Sequence, residues 1–211
     1  FRLAFWTVVW VMPFGILFGR WLAVTHSRAR WIVEGMVALP LVLPPTVLGF
    51  FLLVALGSSA PPGRLWAELF GRPLAFSFEG LVVASVLFNL PFAVQPMQRA
   101  LAAIDPDLRA AAASCGMSSV QAFLRVELPL AWPGLLAAVV LTFAHTLGEF
   151  GVVLIVGGAI PGETRTAAIA IYDSVQAFDF EAATRMSLVL LLISLVTIAA
   201  TSALTGRGRG R

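Results

Sequence analysis

The feature that most constrains this 211-residue chain is a series of five long apolar stretches. A helix needs roughly 20 apolar residues to cross the hydrocarbon core of a bilayer, and each stretch is long enough. The sequence therefore predicts an all-α fold, a polytopic membrane helix bundle with about five transmembrane helices. The predicted spans lie near residues 3–24, 32–57, 79–99, 129–156 and 185–204.

The composition supports a membrane protein and excludes a Walker A nucleotide site. The chain is 59% hydrophobic and 12% charged, against about 25% charged in ordinary soluble domains. Little sequence remains for a second module, so we expect one membrane domain over residues 1–211, without a cleavable signal peptide. All 14 basic residues are arginines. A Walker A loop, which needs lysine, is therefore absent, and any ATP that drives this protein must bind to another subunit.

The arginines predict an orientation, because cytoplasmic loops are enriched in basic residues. The best division puts the N-terminus outside and the C-terminus in the cytoplasm. Nine arginines then lie inside: Arg20, Arg28, Arg30, Arg99, Arg109, Arg125, Arg207, Arg209 and Arg211. Five lie outside: Arg2, Arg64, Arg72, Arg165 and Arg185.

A polar segment between the third and fourth spans has the signals of a helix-turn-helix. Asp105 is a typical N-cap, and Gly116 can adopt the left-handed conformation that ends a helix. Ser118–Gln121 has the pattern of a capping box that opens a second short helix, which we expect to end before Pro129. One face of the first helix is made of small or apolar residues, which is typical of a docking element. These residues are Leu108, Ala111, Ala112 and Cys115.

This segment resembles the cytoplasmic loop of binding-protein-dependent ABC importer permeases. The pattern there is Glu-Ala-Ala, three residues, Gly, nine residues, an aliphatic residue, one residue and Leu-Pro. Ala111, Ala112, Gly116, Val126 and Leu128-Pro129 match it, whereas Ala110 stands where the family has its acid. The resemblance implies a coupling loop at about 100–129 that docks on a cytoplasmic ATPase. The candidate coupling residues are Asp107, Arg109, Ala111, Ala112, Gly116, Glu127, Leu128 and Pro129.

Further segments resemble the molybdate (or tungstate) permeases within that family. They are Leu39–Gly49, Leu147–Gly151, Ile160–Thr166 and Ala170–Tyr172. The resemblance implies import of the anion across the bacterial inner membrane by alternating access, without a cofactor or catalytic residues. It also implies an ATPase dimer and a periplasmic or extracellular oxyanion-binding protein as partners. A permease homodimer is expected, because five helices enclose little space.

Helix breakers and buried polar residues mark candidate pathway positions. Pro40, Pro44 and Pro45 must bend or break the second span, either as a pathway-lining helix or as a static kink. His145 and Glu149 lie one turn apart at membrane depth, with too few neighbouring ligands for a metal site. We expect Glu149 to be a structural or gating group that bonds to a neighbouring helix or pairs with Arg165. The candidates are Pro44, Pro45, Thr46, Thr142, His145, Glu149, Gly151 and Arg165.

Two outside regions and several alternatives complete the sequence-based prediction. Residues 58–78 are expected to form a loop, and Ala167–Ile171 a short re-entrant or interfacial helix. The arginine-rich tail Gly206–Arg211 is interpreted as a juxtamembrane lipid anchor rather than a nucleic-acid site.

A sulfate or thiosulfate permease is the nearest alternative function. An ion-driven secondary transporter lacks support because no internal repeat is found, and a membrane enzyme because no catalytic set is found.

Overall fold

The computed structural model describes residues 1–206, with side chains described through residue 199, and these residues form helices and loops without a strand. The predicted all-α fold is therefore confirmed, while the predicted anchor arginines Arg207, Arg209 and Arg211 lie outside the described residues. The helices are α1 (Arg2–Val24), α2 (Arg30–Val42), α3 (Pro45–Leu56), α4 (Pro61–Phe70), α5 (Phe78–Ala102), α6 (Pro106–Ser114), α7 (Ser119–Ala122), α8 (Leu128–Leu130), α9 (Trp132–Gly148), α10 (Gly151–Gly157), α11 (Ala167–Gln176) and α12 (Phe180–Gly206), with a π-helical turn at Phe123–Glu127 between α7 and α8.

Within the described residues, three helices are long and apolar enough to cross a membrane. They are α1, α5 and the Phe180–Ala199 part of α12. Two bent pairs raise the number to as many as five if each pair is counted as one span. Helices α2 and α3 meet at 111°, and the segment Ser119–Leu130 meets α9 at 71°.

The predicted break in the second span is confirmed and lies between α2 and α3. Leu43 is extended, with ψ 136°, because a residue before proline is disfavoured in the helical region. Pro44 is extended as well and precedes Pro45, the first residue of α3. Pro40 is accommodated inside α2.

The fourth predicted span, near residues 129–156, is not a single continuous helix, because α9 ends at Gly148 and α10 begins at Gly151. Glu149 is extended, with ψ 126°. A Cβ added to Gly151 would lie only 2.9 Å from the Cβ of Pro45. The absent side chain lets the start of α10 approach the start of α3, so the two helix breaks meet.

Glycines also bring the two central helices, α1 and α5, into close contact. A Cβ on Gly15 would lie 2.8 Å from Ala93 Cβ, and one on Gly19 would lie 2.7 Å from Met97 Cβ. Such small residues four apart are typical of tightly packed membrane helices. Helix α9 completes the core around this pair. The buried core residues are Val11, Met12, Ala93, Met97, Leu101, Ile104, Ala131 and Ala138.

The two regions expected to lie outside the membrane differ in how well their structure was predicted. Residues 58–78 are not simply a loop, because α4 forms within them. Pro61 begins α4 and Gly71, with φ +69°, ends it. Proline at the first helical position and a left-handed glycine after the last are ordinary helix boundaries, which the sequence contains. The short helix predicted at Ala167–Ile171 is confirmed and extends to Gln176 as α11.

Candidate functional site

The first half of the predicted coupling loop has the local structure that its sequence indicates. The Oδ1 of Asp105 accepts a hydrogen bond of 2.9 Å from the backbone N–H of Asp107 at the start of α6. Gly116 has φ +78° with open space around its Cα, so backbone conformation rather than packing requires glycine there. The capping box is confirmed, since Ser118 Oγ accepts from the Gln121 N–H and the Gln121 side chain accepts from the Ser118 N–H.

The second half differs, because the helix does not end before Pro129. It continues through the π-helical turn into α8, where Pro129 lies in the first turn. The N–H of Leu128 donates to the carbonyl of Phe123, five residues earlier. Pro129 has no backbone N–H, and in the first turn of a helix this donor is not needed, so the helix accommodates the proline there. The chain bends instead at Ala131, immediately before α9.

The buried carboxylate of Glu127 connects the predicted coupling loop to α1. Its side chain is 3% exposed and lies 3.1 Å from the Nε of Arg20. A second bond of 3.2 Å joins Arg20 Nη2 to Glu127 Oε1, which makes the pair bidentate. The same guanidinium donates to the backbone oxygen and the hydroxyl of Ser119. A bidentate arginine pair fixes orientation as well as distance, so α1 and the second loop helix are held in register.

Arg109, one of the predicted coupling residues, bonds to the end of α5 within this chain. Its Nη2 donates 2.6 Å to the carbonyl of Leu101, and its Nη1 donates 3.4 Å to the carbonyl of Ile104. Its Nε lies 3.6 Å from Glu127 Oε1. Carbonyls at a helix C-terminus lack intrahelical partners, so this arginine caps the end of α5. We call Arg20, Arg109 and Glu127 the anchor cluster.

The predicted docking face of α6 is divided by the structure. Leu108 is 45% exposed, whereas Ala112 is 6% exposed and packs inward. Ala111, Cys115 and Asp107 are exposed. Two apolar side chains of the second loop helix extend this exposed surface beside the turn. They are Val120 and Leu124.

A second polar group, which we call the buried polar cluster, lies at the break between α9 and α10. Glu149 Oε2 accepts hydrogen bonds from Ser85 Oγ at 3.0 Å and Asn89 Nδ2 at 3.3 Å. His145 Nδ1 lies 3.0 Å from Asn89 Oδ1, and its ring stacks on Phe92 with centroids 4.0 Å apart. Because the amide oxygen of Asn89 can only accept, the His145 Nδ1 is the donor in this contact. The cluster joins α9 to α5 at the point where α9 ends.

The other pathway candidates are only partly brought together. Pro45 contacts Gly151, whereas the Nη2 of Arg165 lies 2.8 Å from the Oδ2 of Asp173. The expected pairing of Glu149 with Arg165 is therefore wrong, and the alternative, bonding to a neighbouring helix, is what the structure has. Thr142 is buried, and its hydroxyl has no hydrogen-bond partner among the described residues.

Three of the residues that organise these clusters were not predicted from the sequence. Arg20 was used only as a charge for orientation, and Ser85 and Asn89 were not singled out. A buried carboxylate needs donors, so an isolated Asn and Ser inside an apolar span were an available signal for partners of Glu149. Among the described residues, no three His, Cys, Asp or Glu side chains group as metal ligands.

Residues 13–208 match the family described as binding-protein-dependent transport system inner membrane component. The chain belongs to this family. The predicted resemblance to importer permeases is thereby confirmed, as is the assignment of this permease to a membrane transport function.

Relatives and solved structures agree with the family. The permease is 46% identical over 197 residues to the molybdenum transport system permease protein ModB of Azotobacter vinelandii, covering 93% of this chain and 87% of that protein. It is 36% identical to the ModB of Haemophilus influenzae, covering 91% and 84%. A probable sulfate transport permease, cysT of Chlorella vulgaris, is 31% identical and covers 93% and 74%.

A solved structure supports the same architecture. A crystal structure of a bacterial ABC transporter that imports the polysaccharide alginate superposes with a TM-score of 0.75 at 18% identity, covering 98% of this chain and 76% of that chain. At this identity the likeness establishes the fold alone. The bent helix pairs and the short loop helices therefore occur within an importer-permease fold.

Proposed function

We propose that this permease moves molybdate, or tungstate, into the cytoplasm as the membrane subunit of an ATP-driven importer. Its relatives named as molybdenum permeases are more similar to it than the named sulfate relative, 46% and 36% identical against 31%. The sequence has no Walker A lysine, so ATP hydrolysis belongs to a separate ATPase and this subunit performs no covalent chemistry.

The geometry of the coupling loop is the observation that most strongly supports a role in coupling the ATPase to helix motion. It presents an exposed face, including Leu108 and Val120, on a rigid frame set by the Asp105 cap and the Gly116 turn. The anchor cluster joins that frame to the ends of α1 and α5. A force applied by the ATPase to the exposed face would therefore act directly on α1 and α5. Such a connection is required if ATPase closure is to move the membrane helices.

Ala110 stands where the family has an acidic residue. This replacement changes the chemistry of the contact with the ATPase but keeps the helical structure of the loop. Ala110 is exposed, as is Asp107 one turn earlier on α6. We assign to Asp107 the role of the acid toward the ATPase, because its carboxylate lies on the same loop and its backbone N–H alone is used by the cap. The shared apolar face supplies the remaining contact area.

The proposed assembly has two permease copies, an ATPase dimer and an external oxyanion-binding protein. The whole chain acts as one permease domain, multi-pass in the bacterial inner membrane. The arginines support a cytoplasmic coupling loop: Arg20 and Arg109 gather at the loop end. Arg2 lies over the ring of Phe78, at the other end of α1. The N-terminus is then outside, and the C-terminus is cytoplasmic.

Glu149 is assigned a structural or gating role rather than anion binding. Its carboxylate would repel molybdate, while its bonds to Ser85 and Asn89 hold the end of α9 against α5. The adjacent contact of Pro45 with Gly151 places a second break beside it. Motion of α3 or α10 about these breaks would open or close the pathway. Thr46 lies at the start of α3, and Thr142 and His145 lie in the last two turns of α9.

The substrate claim is tested by reconstituting the permease in liposomes with its ATPase and binding protein. Molybdate should stimulate ATP hydrolysis, and sulfate at the same concentration should not. Stimulation by sulfate instead would keep the transport class and overturn the substrate. Failure of both anions in a fully assembled complex would contradict the proposed function.

A further inference from the structure

Arg20 of α1 contacts the second loop helix, Ser119–Leu130, at three successive turns rather than at Glu127 alone. Its Nη2 donates to the backbone oxygen and the hydroxyl of Ser119 at 3.2 and 3.1 Å. Its guanidinium carbon lies 4.7 Å from the ring centroid of Phe123. Its Nε and Nη2 both bond to the Glu127 carboxylate. One side chain of α1 therefore holds the loop helix along about two turns of its length.

The π-helical turn at Phe123–Glu127 places these three contacts on a common face. Ser119, Phe123 and Glu127 are spaced four residues apart. In an α-helix of 3.6 residues per turn, each step of four drifts by about 40° around the axis. A π-helical turn holds more residues, so the second step of four falls short of a full turn and reverses the first drift. Such turns are rare and are frequent at functional sites, and here the turn directs Glu127 back toward Arg20.

The contacts of Glu127 separate its two arginines into different connections. Arg20 belongs to α1, whereas Arg109 belongs to α6 and donates to the carbonyls at the end of α5. Among the described side chains of α1, Arg20 alone hydrogen-bonds to the loop. Without Arg20, the buried Glu127 carboxylate would still have the Arg109 Nε at 3.6 Å. Loss of Arg20 therefore frees the second loop helix from α1 without leaving Glu127 lacking a cation.

We propose that Arg20 is a positioning residue for energy coupling, which makes the packed pair α1 and α5 follow the second loop helix when the ATPase moves the loop. This inference rests on the proposed importer function and adds that transmission depends on one guanidinium of α1. The docking face, with Leu108 and Val120, does not include Arg20, so the ATPase still binds when Arg20 is replaced. Arg109 continues to connect α6 with α5, so coupling decreases without disappearing.

The test is molybdate uptake per ATP hydrolysed in proteoliposomes that contain the permease, its ATPase and its binding protein. Arg20→Met should lower this ratio about fivefold, the lower end of typical coupling between sites, while the ATPase still co-purifies and hydrolyses ATP. Arg20→Lys should give an intermediate ratio, because an ammonium keeps the charge but lacks the planar fork of donors. Glu127→Gln combined with Arg20→Met should lower the ratio no further than the more impaired single variant, since both changes affect one contact.

Arg30→Met is the matched control, because the Arg30 Nε also lies 3.1 Å from a carboxylate oxygen, that of Glu34 in the same helix. Its uptake ratio should equal that of the wild type. A wild-type ratio in both Arg20 variants would overturn the inference. Proportional losses of uptake and hydrolysis would do so as well, because Arg20 would then be a merely structural contact. If Arg20→Met does not assemble, the ratio of Arg20→Lys decides by the same criteria.

The wild-type protein separates failure of this inference from failure of the proposed function. If molybdate does not stimulate hydrolysis by the assembled wild type, the proposed function is wrong and the inference fails with it. If the wild type couples uptake to hydrolysis and the Arg20 variants couple equally well, the proposed function stands and the role of Arg20 alone is overturned.

Discussion

At the scale of single residues, the two buried carboxylates of Glu127 and Glu149 have different kinds of hydrogen-bond partner. Glu127 is surrounded by the guanidiniums of Arg20 and Arg109, so its charge is balanced nearby. Glu149 has only the neutral donors Ser85 and Asn89. Burying a carboxylate without partners is costly, so each of these groups fixes the helices that supply its donors.

Replacing Glu149 by Leu should destabilise the permease, because the buried donors of Ser85 and Asn89 would lose their common acceptor. The expected cost is about 1–3 kcal/mol for each donor left unsatisfied. Glu149→Gln keeps one acceptor oxygen and should be much less harmful. Thermal unfolding of the purified variants in detergent measures both. A Leu variant as stable as the wild type would show that the buried polar cluster does not hold α9 to α5.

The residues differ in how far the sequence revealed them. The Asp105 cap, the Gly116 turn and the Ser118 capping box depend on neighbours within four residues, so local patterns predicted them correctly. Arg20 and Glu127 are 107 residues apart, and no local pattern specifies their contact. Glu149 was predicted to be important because of its depth in the membrane. Of its two predicted partners, Arg165 was wrong, because that pairing rested on charge alone.

At the scale of helices, the two breaks show which helix interruptions can be predicted from the sequence. The break between α2 and α3 contains two adjacent prolines, which remove hydrogen bonds and disfavour the helical conformation before them. The break between α9 and α10 has no proline. Only Gly148 and Gly151 flank it, and glycine alone lowers helix propensity by about 1 kcal/mol. Contact of Gly151 with Pro45 and the bonds to Glu149, both tertiary, favour the break there.

The contact between α1 and α5 gives a prediction with a control inside the same chain. Gly19→Ala should destabilise the permease, since the new Cβ would lie 2.7 Å from Met97 Cβ. Overpacking of this kind typically costs about 1–3 kcal/mol. Gly35→Ala in α2 meets nothing within 4 Å and should be neutral or stabilising by up to about 1 kcal/mol. Thermal unfolding compares the two, and equal effects would contradict the close approach of α1 and α5.

At the scale of the whole molecule, the anchor cluster lies at one end of α1 and α5, and the contact of Arg2 with Phe78 lies at the other. Arg20 is near the end of α1 and Arg109 caps the end of α5, while Arg2 and Phe78 begin those helices. Because α1 and α5 are tightly packed, we expect them to move as one unit. The proposed coupling loop would then transmit its displacement across the membrane without passing through the helix breaks.

The most direct test of the proposed coupling compares molybdate uptake per ATP hydrolysed in proteoliposomes of Gly116→Val, Gly71→Val and the wild type. Both glycines have left-handed conformations, φ +78° and +69°, with nothing within 4 Å, so a β-branched residue strains both positions similarly. Only Gly116 lies in the coupling loop. Gly116→Val should hydrolyse ATP with a much lower uptake ratio, while Gly71→Val keeps the wild-type ratio. A wild-type ratio for Gly116→Val, or an equal loss in both variants, would contradict the account.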